Sequence, residues 1–262
     1  MQISHRTPAF ITGAASGLGE ATARRLAAAG APVALFDRTE DALATVAKEV
    51  DGLAFAGDVA DYEAVEQAVE QTVDAIGAPR ILVNCAGIAG TGGVLDRSGS
   101  RRSMERFEHV VRVNLLGTFN TIRTIVTCLA TAVPFENGER GVIVNTASMA
   151  AFEGISGGVA YAASKGGVVG MTLPLARELG RYGIRTVTIA PGSFATGLTS
   201  QFSAENLEAL LEDVPFPNDA PGDPYWFAEM VVATVENLML NGETVRLDAG
   251  GRARDPHRRR RS

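Results

Sequence analysis

Short runs of consecutive apolar residues alternate along the chain with longer stretches whose apolar positions recur every three or four residues. The runs are AFITG from Ala9, PVALFD ending at Asp37, LAFAGDV from Leu53, RILVNCAG ending at Gly87, GVIVNTAS ending at Ser148 and IRTVTIAPG ending at Gly192. Helical patterns fill the intervals at 17–29, 40–50, 61–76, 104–133 and 161–180. A strand that is apolar at every position is covered on both faces, and strands separated by helices pair in parallel through crossovers. The pattern therefore predicts an α/β, doubly wound parallel sheet of the Rossmann type, as a single domain over residues 1–251.

Three stretches interrupt this rhythm. Residues 89–103 are rich in Gly, Ser and Arg, and 134–141, PFENGERG, punctuate the approach to the fifth strand. Residues 194–226 mix Phe194, Leu198, Phe202, Leu207, Leu210, Leu211 and Phe216 with four prolines after a strand's carboxyl end. Such a segment suits a substrate lid, and equally a helical excursion that covers core.

In open α/β sheets ligands bind beyond the carboxyl ends of the strands, so strand ends should carry chemistry. They read TGAASG, FD, GDV, NCAG, NTAS and APG. Gly13, Gly17 and Gly19 lie between the first strand and its helix, where glycine permits a tight turn and close approach of a pyrophosphate to a helix N-terminus. Eighteen residues beyond Gly19 the second strand ends in Asp37, whose carboxylate can accept from ribose hydroxyls and would repel a 2′-phosphate. That predicts NAD rather than NADP, with Arg38 alongside as the opposing feature. Asp58 and Val59 follow the third strand, where they could hold an adenine edge, though Asp58 taken alone reads as a simple turn or helix cap. Asn84, Cys85, Ala86 and Gly87 end the fourth strand with small residues against which a cofactor could lie. Asn114 falls mid-helix among apolar neighbours, and a buried amide must find partners.

Ser148 ends the fifth strand, and Tyr161 and Lys165 stand one turn apart on one face of the following helix. Phenols are poor bases at neutral pH, and an adjacent ammonium lowers their pKa toward a usable range. The pair is therefore expected to act as a proton-transfer unit, with Ser148 on the same substrate oxygen. The chain has 22 Arg and only two Lys, Lys48 and Lys165. A sequence that otherwise writes Arg has an ammonium at position 165.

Composition narrows the setting. Hydrophobic residues make up 46% of the 262 residues and charged residues 21%, and no apolar stretch approaches the eighteen residues of a membrane span. Six of the 22 Arg crowd into residues 252–262, which leaves an acidic body that argues against nucleic acid as a partner. That basic segment is expected to be a disordered tail. The first strand begins too early for a signal peptide, and Cys85 and Cys128 give neither a disulfide framework nor zinc spacing. A cytoplasmic protein with reduced thiols is expected.

TGAASGLG, Asp58, NCAG, Asn114, Ser148, YAASK at 161–165 and PGSFAT at 191–196 together resemble the short-chain dehydrogenase/reductase family. The resemblance implies nicotinamide-dependent oxidoreduction, with Tyr161 as acid/base and Lys165 binding the nicotinamide ribose while lowering the Tyr pKa. It implies that Ser148 positions the carbonyl or carbinol and that Asn114 holds a water in a proton relay. NCAGIA, GVIVNTASMAAFEG, IAPGSFATGL, VPFP and LNGETVRLD are similar to the branch of that family acting on 3-hydroxyacyl-CoA thioesters and hydroxysteroids. In that branch Cys85 is the normal residue, and by position Ser16, Leu18, Pro191, Phe194 and Thr196 also line the NAD site. The implied partners are a small molecule, either an acyl-CoA thioester or a hydrophobic alcohol, and further copies of the chain in a homotetramer. Another class stays open, a dinucleotide-binding module whose main role is assembly or scaffolding, for which the basic tail is the one positive hint.

Overall fold

The computed structural model describes residues 1–90, 93–96, 98–154, 156–197, 199, 207, 211–217 and 220–252. Among the described residues one sheet of seven parallel strands runs in the order β3-β2-β1-β4-β5-β6-β7. The strands are β1 (Ala9–Thr12), β2 (Val33–Asp37), β3 (Leu53–Ala56), β4 (Ile81–Asn84), β5 (Gly141–Thr146), β6 (Ile184–Pro191) and β7 (Thr244–Leu247). The order reverses between β1 and β4, which opens a crevice at the carboxyl ends of those strands.

The helices are α1 (Gly17–Ala28), α2 (Glu40–Glu49), α3 (Tyr62–Ile76), α4 (Glu105–Val111), α5 (Thr118–Thr131), α6 (Val159–Leu179) and α7 (Pro224–Glu236). Alternate strand residues point to opposite faces, which divides the core in two. On one face Ile11, Leu35, Val83, Val144 and Ile189 pack against Leu26 of α1, Leu43 of α2, and Phe227 and Val231 of α7. On the other, Phe10, Phe36, Leu82 and Ile143 pack against Val65 of α3, Ile122 and Ile125 of α5, and Leu175 of α6. Both layers bury apolar side chains fully, and truncating one such aromatic, Phe227, costs about 3–5 kcal/mol by the usual large-to-small rule.

Local signals set the element ends. Asp61 caps α3 by accepting from the amides of Glu63 and Ala64, and Asp223 caps α7 by accepting from Tyr225 N with Pro224 in the first turn. At the far edge, buried Arg185 of β6 donates Nε to Glu139 at 2.8 Å and its Nη atoms to Thr234 O, Val235 O, Asn237 O and Leu240 O. It thereby satisfies carbonyls at the C-terminus of α7, where a cation also complements the helix dipole.

Two expectations change. The pattern over 104–133 is not one regular helix, because Arg112–Gly117 forms a π-helical stretch between α4 and α5. The stretch read as an irregular lid, 194–226, gives its last residues to α7, and a seventh strand, β7, lies beyond the six apolar runs. Of the lid, Leu198, Phe202 and Leu210 lie outside the described residues, as do 253–262 of the basic tail.

Candidate functional site

Beyond the carboxyl ends of the central strands lies a cleft of about 550 Å³. Its β1 side is made largely of backbone. A Cβ on Gly19 would sit 2.1 Å from Gly13 O, and one on Gly13 would sit 2.7 Å from Ala86 N, so neither position admits another residue without moving the main chain. Gly17 opens α1 at φ +56°, a region that favours glycine. Ser16, the N-cap residue, makes no side-chain cap bond, which leaves the first-turn amides of α1 for an anion.

Asp37 stands at the end of β2. Its Oδ2 accepts from Ala15 N at 3.1 Å and its Oδ1 from Thr39 N at 2.9 Å. Each oxygen keeps a lone pair, so the carboxylate both braces the glycine turn and can accept from hydroxyls. Asp58 Oδ1 accepts from Ala60 N, forming a turn, and it lines the cleft beside Val59. These features fit a dinucleotide with an anionic pyrophosphate and a free ribose diol.

The β5 side is made of side chains. Ser148 is 8% exposed, and its Oγ accepts from Ala150 N at 3.1 Å as the cap of a single 3₁₀ turn, Met149–Ala151. Lys165 is buried, its Nζ donates to Thr146 O at 2.7 Å, and it lies 5.8 Å from the centroid of the Tyr161 ring. Burial lowers the Lys165 ammonium to about 8. Burial raises the Tyr161 phenol above its ordinary value, with Ser148 pulling the other way. Desolvation of the phenol works against the lowering of the Tyr161 pKa that Lys165 is expected to bring. Desolvation dominates at the phenol, and the ammonium is itself disfavoured and committed to a carbonyl.

Of the sequence candidates, Ser16, Leu18, Cys85, Ala86, Gly87, Pro191, Phe194 and Thr196 also line the cleft. Asn84 and Asn114 do not. Asn84 is 2% exposed and ties β4 to β5 and α5, donating to Asn145 Oδ1 at 2.9 Å and accepting from Thr121 Oγ1 at 2.6 Å. Asn114 lies within the π-helical stretch, accepts from Ile88 N at 2.8 Å, and donates to Ile88 O and Ser164 Oγ. Its amide thus grips the backbone just beyond Gly87, whose added Cβ would lie 3.5 Å from Lys165 Nζ. Cys85 accepts weakly from Thr146 Oγ1 at 3.5 Å, and burial pushes its thiol up to about 11, so it is not a nucleophile at neutral pH.

Sequence reasoning missed Thr146 and Thr199. Thr146 acts through its carbonyl, which no residue type announces. Thr199 Oγ1 accepts from Thr196 N and donates to Phe194 O, shaping the turn after β6. Its signal was present as a threonine three residues beyond Thr196.

A family model for the short chain dehydrogenase matches residues 7–207. The chain belongs to the short-chain dehydrogenase family. It is 46% identical over 243 residues to the 3-hydroxyacyl-CoA dehydrogenase type-2 of Bos taurus, covering 92% of this chain and 93% of that one. Against the Homo sapiens protein of the same name the identity is 45% over the same shares. The crystal structure of a 3-hydroxyacyl-CoA dehydrogenase type-2 from Mycobacterium avium superposes with a TM-score of 0.90 at 35% identity, over 97% of this chain and 99% of that one. The chain is thus an oxidoreductase, and the family implies a nicotinamide cofactor and a small-molecule substrate. Among the described residues no helix is long and apolar enough to cross a membrane.

Proposed function

We propose that the chain interconverts a secondary alcohol and its ketone with NAD, and that its substrate is a 3-hydroxyacyl-CoA. The observation that carries this reading is the convergence of Ser148, Tyr161 and Lys165 on one wall of a cleft whose opposite end holds Asp37. The names of the similar proteins support the thioester. Asp37, acidic at the end of β2, supports NAD, and NADP would bring its 2′-phosphate against that carboxylate.

The bound nicotinamide supplies hydride acceptance or donation. Everything else falls to the chain. Ser148 holds the substrate oxygen, and Tyr161 exchanges the proton with it. Because burial raises the phenol, Tyr161 stands protonated at neutral pH and serves as the acid for ketone reduction directly. Alcohol oxidation needs the deprotonated phenol, so its rate is expected to climb with pH while reduction declines. Lys165, fixed on Thr146 O beneath Gly87, supplies positive charge at that end of the cleft, and Asn114 keeps the Ile88 backbone in place above it. Phe194 lines the cleft at the start of the proposed lid. Exposed Leu116, Phe119 and Leu173 offer apolar surface to further copies of the chain in the proposed homotetramer, and the proposed location is the cytoplasm.

The test is reduced-nicotinamide absorbance with NAD and a panel of hydroxyacyl thioesters, hydroxysteroids and simple alcohols. Tyr161→Phe is expected to lower kcat by about 10²–10⁴-fold, the usual range for a general acid/base, with cofactor binding intact. Turnover that survives Tyr161→Phe overturns the mechanism. Cofactor binding without turnover on any substrate would favour the scaffold instead.

A further inference from the structure

The loop after Ser148 is held from outside the established constellation. Its 3₁₀ turn closes on itself, with Ala151 N, Phe152 N and Glu153 N bonded to Ser148 O, Met149 O and Met149 O. Its far end is fastened to β7. Glu153 Oε1 accepts from Arg246 Nη1 at 2.6 Å, and the Arg246 guanidinium carbon lies 5.3 Å from the centroid of the Phe152 ring. Arg246 is itself fixed, because Asp248 Oδ2 accepts from its Nε at 2.7 Å and lies 2.5 Å from its Nη2. Arg252 reaches both carboxylates, at 3.2 Å from Glu153 and 3.5 Å from Asp248.

The placement matters because β7 is registered to the site. Leu247 pairs with Pro191, Leu247 O accepts from Gly192 N, and a Cβ on Gly192 would meet Asp248 Cα at 2.9 Å. The strand that borders the cleft through β6 therefore also carries the cation that ties down the Ser148 loop. Glu153 and Arg246 are 22% and 25% exposed, which puts the pair between a surface bridge, worth little, and a buried one. Its value lies in geometry: Glu153 takes one bond from a guanidinium that Asp248 holds through two nitrogens and that lies over Phe152, at the end of a loop that has Ser148 at its start.

We propose that Arg246 is a positioning residue for Ser148, acting through Glu153 and Phe152, and that Arg252 links the C-terminal segment to the same clamp. The proposal rests on the functional reading of Ser148 given above. It concerns the alcohol side of the cleft and not the nucleotide side.

The test uses the full chain with Arg246→Gln, Arg246→Lys, Glu153→Gln and the double variant Glu153→Gln/Arg246→Gln. Steady-state kinetics, cofactor titration and hydrogen exchange of the 149–154 amides are read on each. Arg246→Gln and Glu153→Gln are each expected to lower kcat/KM for the alcohol by about tenfold, within the range that loop misplacement produces, while cofactor affinity stays within about twofold. The double variant should fall no further than the worse single one, since both remove one coupling. Arg246→Lys should recover part of the loss, and exchange should quicken at 149–154 with β5 unchanged. Unaltered exchange at 149–154 in both single variants overturns the clamp, and so does a loss of cofactor affinity as large as the loss toward the alcohol. If Tyr161→Phe keeps full activity, the functional reading fails on its own, and the exchange experiment still decides whether the clamp exists.

Discussion

On the β1–β3 side of the cleft the chain presents main-chain atoms, whereas on the β4–β6 side it presents buried polar side chains. Gly13 and Gly19 leave no room for a Cβ, which would meet Ala86 N or Gly13 O, and Gly17 sits at φ +56° with the Thr196 side chain 3.1 Å from an added Cβ. Ser148, Tyr161 and Lys165 instead owe their properties to burial, which raises the phenol and lowers the ammonium. In the proposed reading the first side takes the part that all dinucleotides share, through closely packed backbone. The second is proposed to do chemistry by controlling protonation, which needs particular functional groups in a poorly solvated place.

The sharpest way to break this contrast is to add one methyl group to the backbone side. Gly19→Ala would place Cβ 2.1 Å from Gly13 O and 2.6 Å from Gly13 C, so the turn itself must shift. Cofactor affinity is expected to fall on the order of 100-fold, as a displacement of about 1 Å in a positioned site typically does. Gly170→Ala is the control, because a Cβ there meets nothing within 4 Å and α6 gains helix propensity. Cofactor titration checks both, and normal binding by Gly19→Ala would show that the backbone side tolerates atoms after all.

The side-chain half is tested through pH. Lys165 falls from 10.5 in its ordinary state to about 8 in the folded chain, so folding disfavours its proton. Below about pH 8 both folded and unfolded states are protonated, and the burial penalty is present in full. Between pH 8 and 10.5 the unfolded state binds more protons, so stability rises with pH. Relative to Lys165→Met, the wild type should gain about 2 kcal/mol between about pH 7 and pH 9.5. Denaturant melts of both proteins at the two values measure this, and a constant difference would mean that Lys165 is not penalised by burial.

The contrast also explains how much of the molecule was legible in the sequence. Glycine spacing, Asp37 at a strand end and the Tyr161–Lys165 interval are statements about residue type and position, and those the sequence displays directly. The family resemblance followed from them, and the doubly wound sheet from the alternation of apolar runs with helical patterns. What stayed hidden depends on neighbours brought together by folding. The Thr146 carbonyl under Lys165 has no residue signature, and the burial that raises the phenol is set by neighbours distant in sequence. The π-helical stretch that aims Asn114 at Ile88 looks like ordinary helix in periodicity alone. β7 escaped because TVRL is only partly buried and alternates, unlike the continuous runs that marked the central strands. α7 did announce itself, with Asp223 and Pro224 as an N-cap and first turn, but the prolines around them read more strongly as a lid.

Asp37 is the exception that the comparison must accommodate, a side chain doing the reading on the backbone side. Its two oxygens already take the amides of Ala15 and Thr39, so its removal is expected to loosen the glycine turn as well as the proposed ribose contact. Asp37→Ala is therefore expected to weaken NAD and to relieve the repulsion of a 2′-phosphate, which narrows the preference for NAD over NADP by about tenfold, the worth of one charge-assisted contact. Exposed Arg38, the next residue and also on the cleft, gives the phosphate a counter-charge once the carboxylate is gone. Arg38→Ala on top of Asp37→Ala should take back the gain toward NADP and leave NAD unchanged. Ratios of kcat/KM for the two cofactors measure each step. Equal efficiency with NADP in the wild type would mean that Asp37 only braces the turn, and the β1–β3 side would then read its ligand by backbone alone.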